Sequence, residues 1–227
     1  MAKPFAPLDP RQLRKLLREI DSRRHYDAAT LLHWTVSDRE YCVGCAVAMD
    51  QINKYLVGAR TQIRRIKRSI EKIDRSHSDM MKPGLSRTSW QAALEQVFLD
   101  IHYYFVCWDA VRKMIEFLKT HSGFKAVGEV YKHHRRVLEQ YGDARDHLEH
   151  YDERLRGRKK KENLAVPSDM GNLHGYVYTL GGERYDAGPD SLKKLERIVS
   201  DLNGKICEEG IVRFQKIREE ESKLGQH

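Results

Sequence analysis

The chain has 227 residues, of which 40% are hydrophobic and 33% are charged, and its formal net charge is +8. That length is enough for one large domain or two small ones with a buried core. The basic excess favours polyanionic partners such as nucleic acid. No run reaches the roughly 18 apolar residues of a membrane span, and residues 1–10 lack the apolar stretch of a secretory signal. We therefore expect a cytoplasmic protein without a membrane partner.

Apolar residues recur with helical spacing from the start of the chain. A first helix is predicted to open at residues 9–10, where aspartate precedes proline. A short apolar segment follows over residues 28–34. Ser37 and Glu40 form the capping-box pattern, which predicts the start of a long second helix that runs to about residue 74.

Two further long helices are predicted in the middle of the chain. The third runs from about 88 to 120, ends at Ser122-Gly123, and carries a cluster of aromatic residues expected in the core and at interfaces. That cluster contains Tyr103, Tyr104, Phe105 and Trp108. The fourth spans about 124–155 and has a heptad-like apolar seam, formed by Val127, Val130, His134, Val137, Tyr141, Ala144, Leu148, Tyr151 and Leu155.

The last third of the chain has a different pattern. A basic linker follows the fourth helix, residues 173–186 are predicted to form a β-hairpin that turns at Gly181-Gly182, and a final helix covers about 190–224. The predicted fold is mainly α: an antiparallel bundle of long helices with a small C-terminal β-hairpin and a final helix. The predicted division is a helical bundle over 1–155, a basic linker over 156–170, and a hairpin with the C-terminal helix, packed on the bundle, over 171–227.

Several common chemistries lack their motifs. The sequence has no GxGxxG, GxxxxGK[ST] or GxSxG pattern, and no glutamate is followed three residues later by histidine, as a di-iron bundle requires. Cys42 and Cys45 form a CxxC without a second metal-binding pair. We interpret them as small buried side chains, and we expect no cofactor and no metal site.

The densest polar cluster covers residues 141–154. In it, four positions separate Arg145 from His150, and Asp146 is the first of the four. This arrangement resembles the R-x(4–6)-H motif of HEPN domains, in which Asn, Asp or His commonly follows the arginine. The resemblance covers residues 88–155 by helical context and six residues by motif. It implies a short helical bundle, RNA as the partner and, in many members, metal-independent endoribonuclease activity in toxins or antiviral effectors. An antitoxin or other regulatory protein is then a further expected partner.

The three motif residues suit this chemistry. A histidine titrates near neutral pH and can serve as general base or acid, and an arginine fork matches the geometry of a phosphate. Asp146, four residues before His150 on a helix, can orient the imidazole. Arg145, Asp146 and His150 are therefore the candidate catalytic residues.

Helical geometry limits what one copy of the motif can do. Arg145 and His150 lie about 140° apart on a continuous helix, so we expect a homodimer in which two motif copies share a cleft. Two alternatives remain open for the same helix face: a solvated surface, or a metal-binding group of Asp143, Asp146, His147 and His150. The alternative for the whole protein is a non-catalytic helical scaffold that dimerises through its long helices.

A basic stripe on the second helix and a basic loop after the motif are the candidate nucleic-acid contacts. They comprise Arg60, Arg64, Arg65, Lys67, Arg68, Arg158, Lys159, Lys160 and Lys161. The stripe is either a solvated face or a track for the phosphate backbone. The loop follows the motif directly, where it can hold a strand for cleavage.

Overall fold

The computed structural model describes residues 27–36, 38–80, 88–149, 170–180 and 183–224. The elements in chain order are α1 (Ala28–Thr35), α2 (Arg39–Met80), α3 (Thr88–His121), α4 (Lys125–Glu149), β1 (Met170–His174), β2 (Val177–Leu180), β3 (Glu183–Asp186) and α5 (Pro189–Leu224). This arrangement confirms the predicted fold class, a mainly helical chain with a small antiparallel sheet and a final helix. The first predicted helix lies outside the described residues, and so does the predicted basic linker over 156–170 except for Met170, which begins β1.

Aspartate side chains begin the first two helices. Oδ1 of Asp27 accepts a hydrogen bond from the Ala29 amide at 3.0 Å, and Oδ1 of Asp38 accepts one from the Glu40 amide at 3.0 Å. Each satisfies a backbone donor that the first helical turn leaves without a partner. The cap of α2 is therefore Asp38; Ser37, which the capping-box pattern indicated, lies outside the described residues.

Helices α2 and α3 pack antiparallel along most of their lengths. A Cβ placed on Gly44 would lie 3.2 Å from Cζ of Phe117, and one placed on Gly58 would lie 3.1 Å from Sγ of Cys107. Higher residue numbers on α2 thus meet lower numbers on α3. Ile52, Ile63 and Ile66 of α2 are buried in the core.

The corner between α3 and α4 is capped from the far end of the chain. Helix α3 ends at His121, as the Ser122-Gly123 pair predicted. The carboxylate of Glu209 on α5 accepts hydrogen bonds from the amides of Lys125 and Ala126, at 3.3 and 2.9 Å. Because both amides belong to the first turn of α4, Glu209 acts as a cap and also complements the helix dipole.

Arg213 completes the same corner. Its guanidinium donates to the Glu209 carboxylate and to the carbonyl of Gly123, and it lies 4.1 Å from the centroid of the Phe124 ring. Burial alone would raise the pKa of Glu209, but hydrogen bonds from the Ala126 amide and from Arg213 lower it below its ordinary value.

The small sheet has three antiparallel strands in the order β1-β2-β3. The sequence indicated one strand over 173–180, but the structure divides this run into two strands at Gly175, whose φ of +58° places it in the left-handed region. Glycine adopts that conformation without a Cβ penalty. Tyr178 and Leu180 of β2 are buried, so the sheet packs against the helices through this strand.

One hydrophobic core joins the bundle, the sheet and α5. The Trp108 ring stacks on the Tyr141 ring at 4.1 Å between centroids, and Phe105 packs at 5.8–6.4 Å from Tyr141, Tyr178 and Tyr185. The Tyr141 hydroxyl donates to the Asp186 carbonyl at 2.8 Å, fixing the end of β3 to α4.

No described helix combines the length and apolarity that crossing a bilayer demands.

Candidate functional site

Arg145 and Asp146 lie in the last turns of α4, close to where the described part of the helix ends. The Arg145 side chain is 24% exposed and the Asp146 side chain 59% exposed. His150, the third candidate catalytic residue, lies outside the described residues. The structure therefore places two members of the motif and gives no position for the third.

Three carboxylates surround the Arg145 guanidinium. Nη1 donates to Oδ1 of Asp146 at 2.8 Å, Nη2 forms an ion pair with Glu149, and Nε lies 3.8 Å from Oδ2 of Asp109 on α3. Burial alone would lower the pKa of Arg145, but the hydrogen bond to Asp146 and the charges of Glu149 and Asp109 raise it. These carboxylates hold the guanidinium in place and balance its positive charge.

Asp109 is the buried centre of this cluster, with its side chain 5% exposed. Its oxygens accept from Nη2 of Arg112 at 2.7 Å and from Nζ of Lys113 at 2.8 Å. Burial alone would raise the pKa of Asp109, but the hydrogen bonds and charges of Lys113 and Arg112 lower it. Asp109 is therefore ionised at neutral pH.

The cluster extends one turn further along α3. Nη1 of Arg112 donates to Oε1 of Glu116 at 2.8 Å, and the hydroxyl of Tyr131 on α4 donates to the same oxygen at 2.8 Å. Burial, with the hydrogen bond and charge of Glu116, raises the pKa of Tyr131 to about 12. A continuous polar network thus links α3 and α4 from Tyr131 to Arg145.

The charges of this network nearly cancel. Three cations, Arg112, Lys113 and Arg145, meet four carboxylates, those of Asp109, Glu116, Asp146 and Glu149. The exposed carboxylates of Asp146 and Glu149 occupy the nitrogens that a phosphate would bind. A phosphate can reach Arg145 only if these two side chains rotate away, and their exposure makes that rotation inexpensive.

His147 does not belong to the solvated face on which the helical wheel placed it. Its side chain is buried, with 7% of the residue exposed, whereas Asp143 and Asp146 on the same helix are exposed. The buried stripe of α4 is wider than the heptad seam, because α4 packs against α3 and α5 together. The metal-binding alternative for this face therefore loses His147 as an accessible ligand, and the described residues include no group of three potential metal-binding side chains.

The basic stripe of α2 is largely paired within the chain. Nε of Arg60 lies 2.7 Å from Oε1 of Glu196, Nε of Arg65 lies 2.9 Å from Oδ1 of Asp100, and Nζ of Lys67 lies 4.0 Å from Glu71. Arg64 donates to the Thr61 hydroxyl at 3.2 Å. Arg64 and Arg68 form no ion pair with any described residue, whereas the basic residues of 158–161 lie outside the described part of the chain.

A buried polar group between α2 and α3 was not anticipated from the sequence. Asp100 is 1% exposed and meets Arg65, but neither of its carboxylate oxygens has a hydrogen bond of good geometry with a described residue. Gln62 Oε1 and Gln96 Nε2 are also buried, and neither has a hydrogen-bond partner in the part of the chain that the structure describes. The available signal was a single aspartate between the apolar residues Val97 and Tyr104 on the core side of α3, which periodicity alone does not distinguish from a boundary residue.

The cysteine prediction is confirmed for Cys45, which is fully buried and whose pKa burial raises to about 11. Its neighbour Cys42 is half-buried. Burial also raises the pKa of Cys107 to about 11. These two buried thiols are packing residues at neutral pH, because the thiolate is the reactive form.

Comparison with known proteins adds no relative. No family model matches the chain, no curated protein matches it, and no solved structure matches it.

Proposed function

We propose that this chain is a HEPN-like RNA-binding protein that cleaves RNA without a metal ion, with Arg145 and His150 as the reacting pair. The observation that carries the proposal is the fixed position of Arg145. A buried, ionised carboxylate on a neighbouring helix, that of Asp109, lies 3.8 Å from its Nε atom, while a quarter of the side chain stays open to solvent. A solvated surface arginine would not need such a partner.

The proposed chemistry uses the RNA's own hydroxyl. His150 takes the proton of the 2′-hydroxyl, the 2′-oxygen forms a bond to phosphorus, and the bond from phosphorus to the 5′-oxygen breaks. The leaving oxygen is then protonated, and the product carries a 2′,3′-cyclic phosphate. Arg145 stabilises the negative charge on the phosphate once Asp146 and Glu149 release it. Since Asp146 bonds to Arg145, its role in this mechanism is to hold the guanidinium before RNA binds.

The test is cleavage of a defined single-stranded RNA by the purified full chain in EDTA. Arg145→Ala and His150→Ala should each lower the rate by about 10² or more, and DNA should not be cut. The matched control is Arg135→Ala, which removes an exposed arginine of the same helix that pairs with Glu139. The proposal fails if the wild-type chain does not cut RNA, if His150→Ala cuts normally, or if EDTA abolishes cleavage.

A second candidate function is that of a helical interaction protein without catalysis. It is favoured by the exposure of large apolar side chains on the outer sides of α2 and α3, notably Val57 at 58% and Tyr103 at 52%. This candidate becomes the better one if the chain associates with itself or another protein and leaves RNA intact.

A further inference from the structure

The outer side of α2 carries a row of residues that alternate at spacings of three and four. In chain order they are Glu40, Val43, Val47, Asp50, Lys54, Val57, Thr61 and Arg64. We call this row the outer seam. Its spacing is the one that lines a single face of a helix and forms the contact line of a coiled coil. Thr61 is half-buried and the other seven residues are exposed.

The outer seam of one copy of α2 is complementary to the outer seam of a second copy that runs in the opposite direction. When two copies of α2 lie antiparallel about a two-fold axis beside position 52, Val47 meets Val57 and Val43 meets Thr61. Asp50 then meets Lys54, and both valine pairs and ion pairs occur twice because the axis repeats them.

The ends of the seam follow the same rule. The antiparallel pairing places Glu40 opposite Arg64, again twice. A parallel pairing in register would instead set each charged residue against its own copy, Glu40 on Glu40 and Lys54 on Lys54. Like charges in direct opposition are destabilising, so the charge pattern selects the antiparallel arrangement.

The charges of the outer seam are not engaged in ion pairs with other described residues. Within the described part of the chain, Glu40, Asp50, Lys54 and Arg64 form no ion pair, whereas Arg60, on the same helix, is paired with Glu196 on α5 at 2.7 Å. These four charges can therefore meet a second molecule without breaking an ion pair among the described residues, and Arg64 has only its hydrogen bond to the Thr61 hydroxyl to exchange.

Apolar side chains of α3 extend the same surface. Leu99 and Phe117 are eighteen residues apart, which is five full helical turns, so they lie on the same side of α3. Phe117 packs against Gly44 of α2, so that side borders α2. Of the eight large apolar residues exposed in the described structure, five belong to this surface: Val43, Val47, Val57, Leu99 and Tyr103. Such a concentration is typical of an interaction surface.

We propose that the outer seam is a self-association surface, and that its partner is a second copy of this chain bound antiparallel through α2. The dimer buries the valines at its centre, with the α3 residues Leu99 and Tyr103 flanking them. The four ion pairs, two of Asp50 with Lys54 and two of Glu40 with Arg64, fix its register and direction. The seam contains neither Arg145 nor Asp146, so this proposal does not rest on ribonuclease activity.

The test is a charge exchange on the full chain, followed by sedimentation equilibrium from about 1 to 200 µM. Asp50→Lys and Lys54→Asp each replace two attractive contacts in the dimer by two repulsive ones. Each should raise the dissociation constant of the dimer by about tenfold or more, a loss of about 1.4 kcal/mol of binding free energy. The double variant carrying both changes restores opposite charges across the axis and should regain most of the wild-type affinity. Circular dichroism of each variant checks the helix content, which should not change because both side chains are exposed.

The exchange separates this surface from other modes of association. A dimer that both single variants leave intact would place the interface elsewhere and overturn the proposal. A wild-type chain that stays monomeric at 200 µM would overturn it as well, and so would a double variant as weak as the two single ones. Restoration in the double variant, with loss in both single variants, would establish the antiparallel pairing of Asp50 with Lys54.

Discussion

Gly142 on α4 lies so close to Arg112 on α3 that a Cβ at position 142 would stand 2.9 Å from Nε of the arginine. It would also lie 3.4 Å from Oδ1 of Asp109. The absence of a side chain at this position, one turn before Arg145, allows the Arg112–Asp109 pair to pack directly against α4.

Replacement of Gly142 by alanine should therefore destabilise the protein, although alanine is the better helix former. The Cβ would displace a guanidinium held by Asp109 and Glu116, and losing part of those charged hydrogen bonds costs about 1–3 kcal/mol. The control is Gly128→Ala on the same helix, where a Cβ meets no atom within 4 Å. That change should stabilise the fold by up to about 1 kcal/mol. Urea denaturation of both variants measures the difference, and equal stabilisation of the two would contradict the prediction.

Replacement of Asp109 by asparagine should cost about 2 kcal/mol at pH 7, because it removes the buried charge that Arg112 and Lys113 bind. The folded-state pKa of Asp109 lies below its ordinary value, so its charge stabilises the fold above the unfolded pKa of about 4. This contribution is lost as the pH falls through the folded pKa.

The difference in unfolding free energy between wild type and Asp109→Asn should therefore be constant near neutral pH and shrink below about pH 4. Urea denaturation at a series of pH values measures it. Glu139→Gln, which breaks an exposed pair on α4, is the control and should have little effect at any of these pH values. A difference that grows on acidification would refute the argument.

Loss of the cap at the α3–α4 corner should also be measurable. Glu209→Gln keeps one acceptor but removes the charge that faces the Lys125 and Ala126 amides and Arg213, and should cost about 1 kcal/mol. Glu208→Gln is the neighbouring control, because Glu208 is exposed. Thermal unfolding should show a lower Tm for the first variant and an unchanged Tm for the second; equal Tm values would argue against the cap.

RNA binding should depend on salt and on Arg68 of α2, which forms no ion pair with any described residue and lies outside the outer seam. If Arg68 contacts one phosphate, Arg68→Ala should reduce the slope of log affinity against log salt by about 0.7. Lys193→Ala on α5, which removes an exposed lysine paired with Asp190, serves as the control. Filter binding of single-stranded RNA over a range of salt concentrations measures the slope. A wild-type slope near zero would contradict the prediction that basic residues of α2 bind the phosphate backbone.

The sequence predicted the long helices well because their apolar residues keep one period over many turns. Ser122-Gly123 marked the end of α3 correctly, because a glycine that adopts a positive φ ends a helix locally. The break at Gly175 was missed, since a run rich in strand-forming residues hides a single turn glycine. Periodicity also failed for His147, because its burial depends on how two other helices approach α4.

The setting of the candidate site could not be read from the sequence. Arg145 was visible as part of a motif, but its buried partner Asp109 lies thirty-six positions earlier on another helix. Only the packing of α3 against α4, allowed by Gly142, brings the two charges together. Local patterns give the direction of a side chain from its helix, and the identity of the group it meets depends on the tertiary fold.

The clasp of Glu209 on the first turn of α4 also bears on how the protein folds during synthesis. Lys125 and Ala126, the residues of α4 that Glu209 binds, precede it by 84 and 83 positions. A ribosome must therefore have released most of α5 before the contact can form. Until then the α3–α4 corner lacks its cap, and the helical hairpin emerges with its turn unsecured. A contact between positions so far apart in the chain forms late in folding, so the corner should gain its cap only when the final helix packs into the shared core.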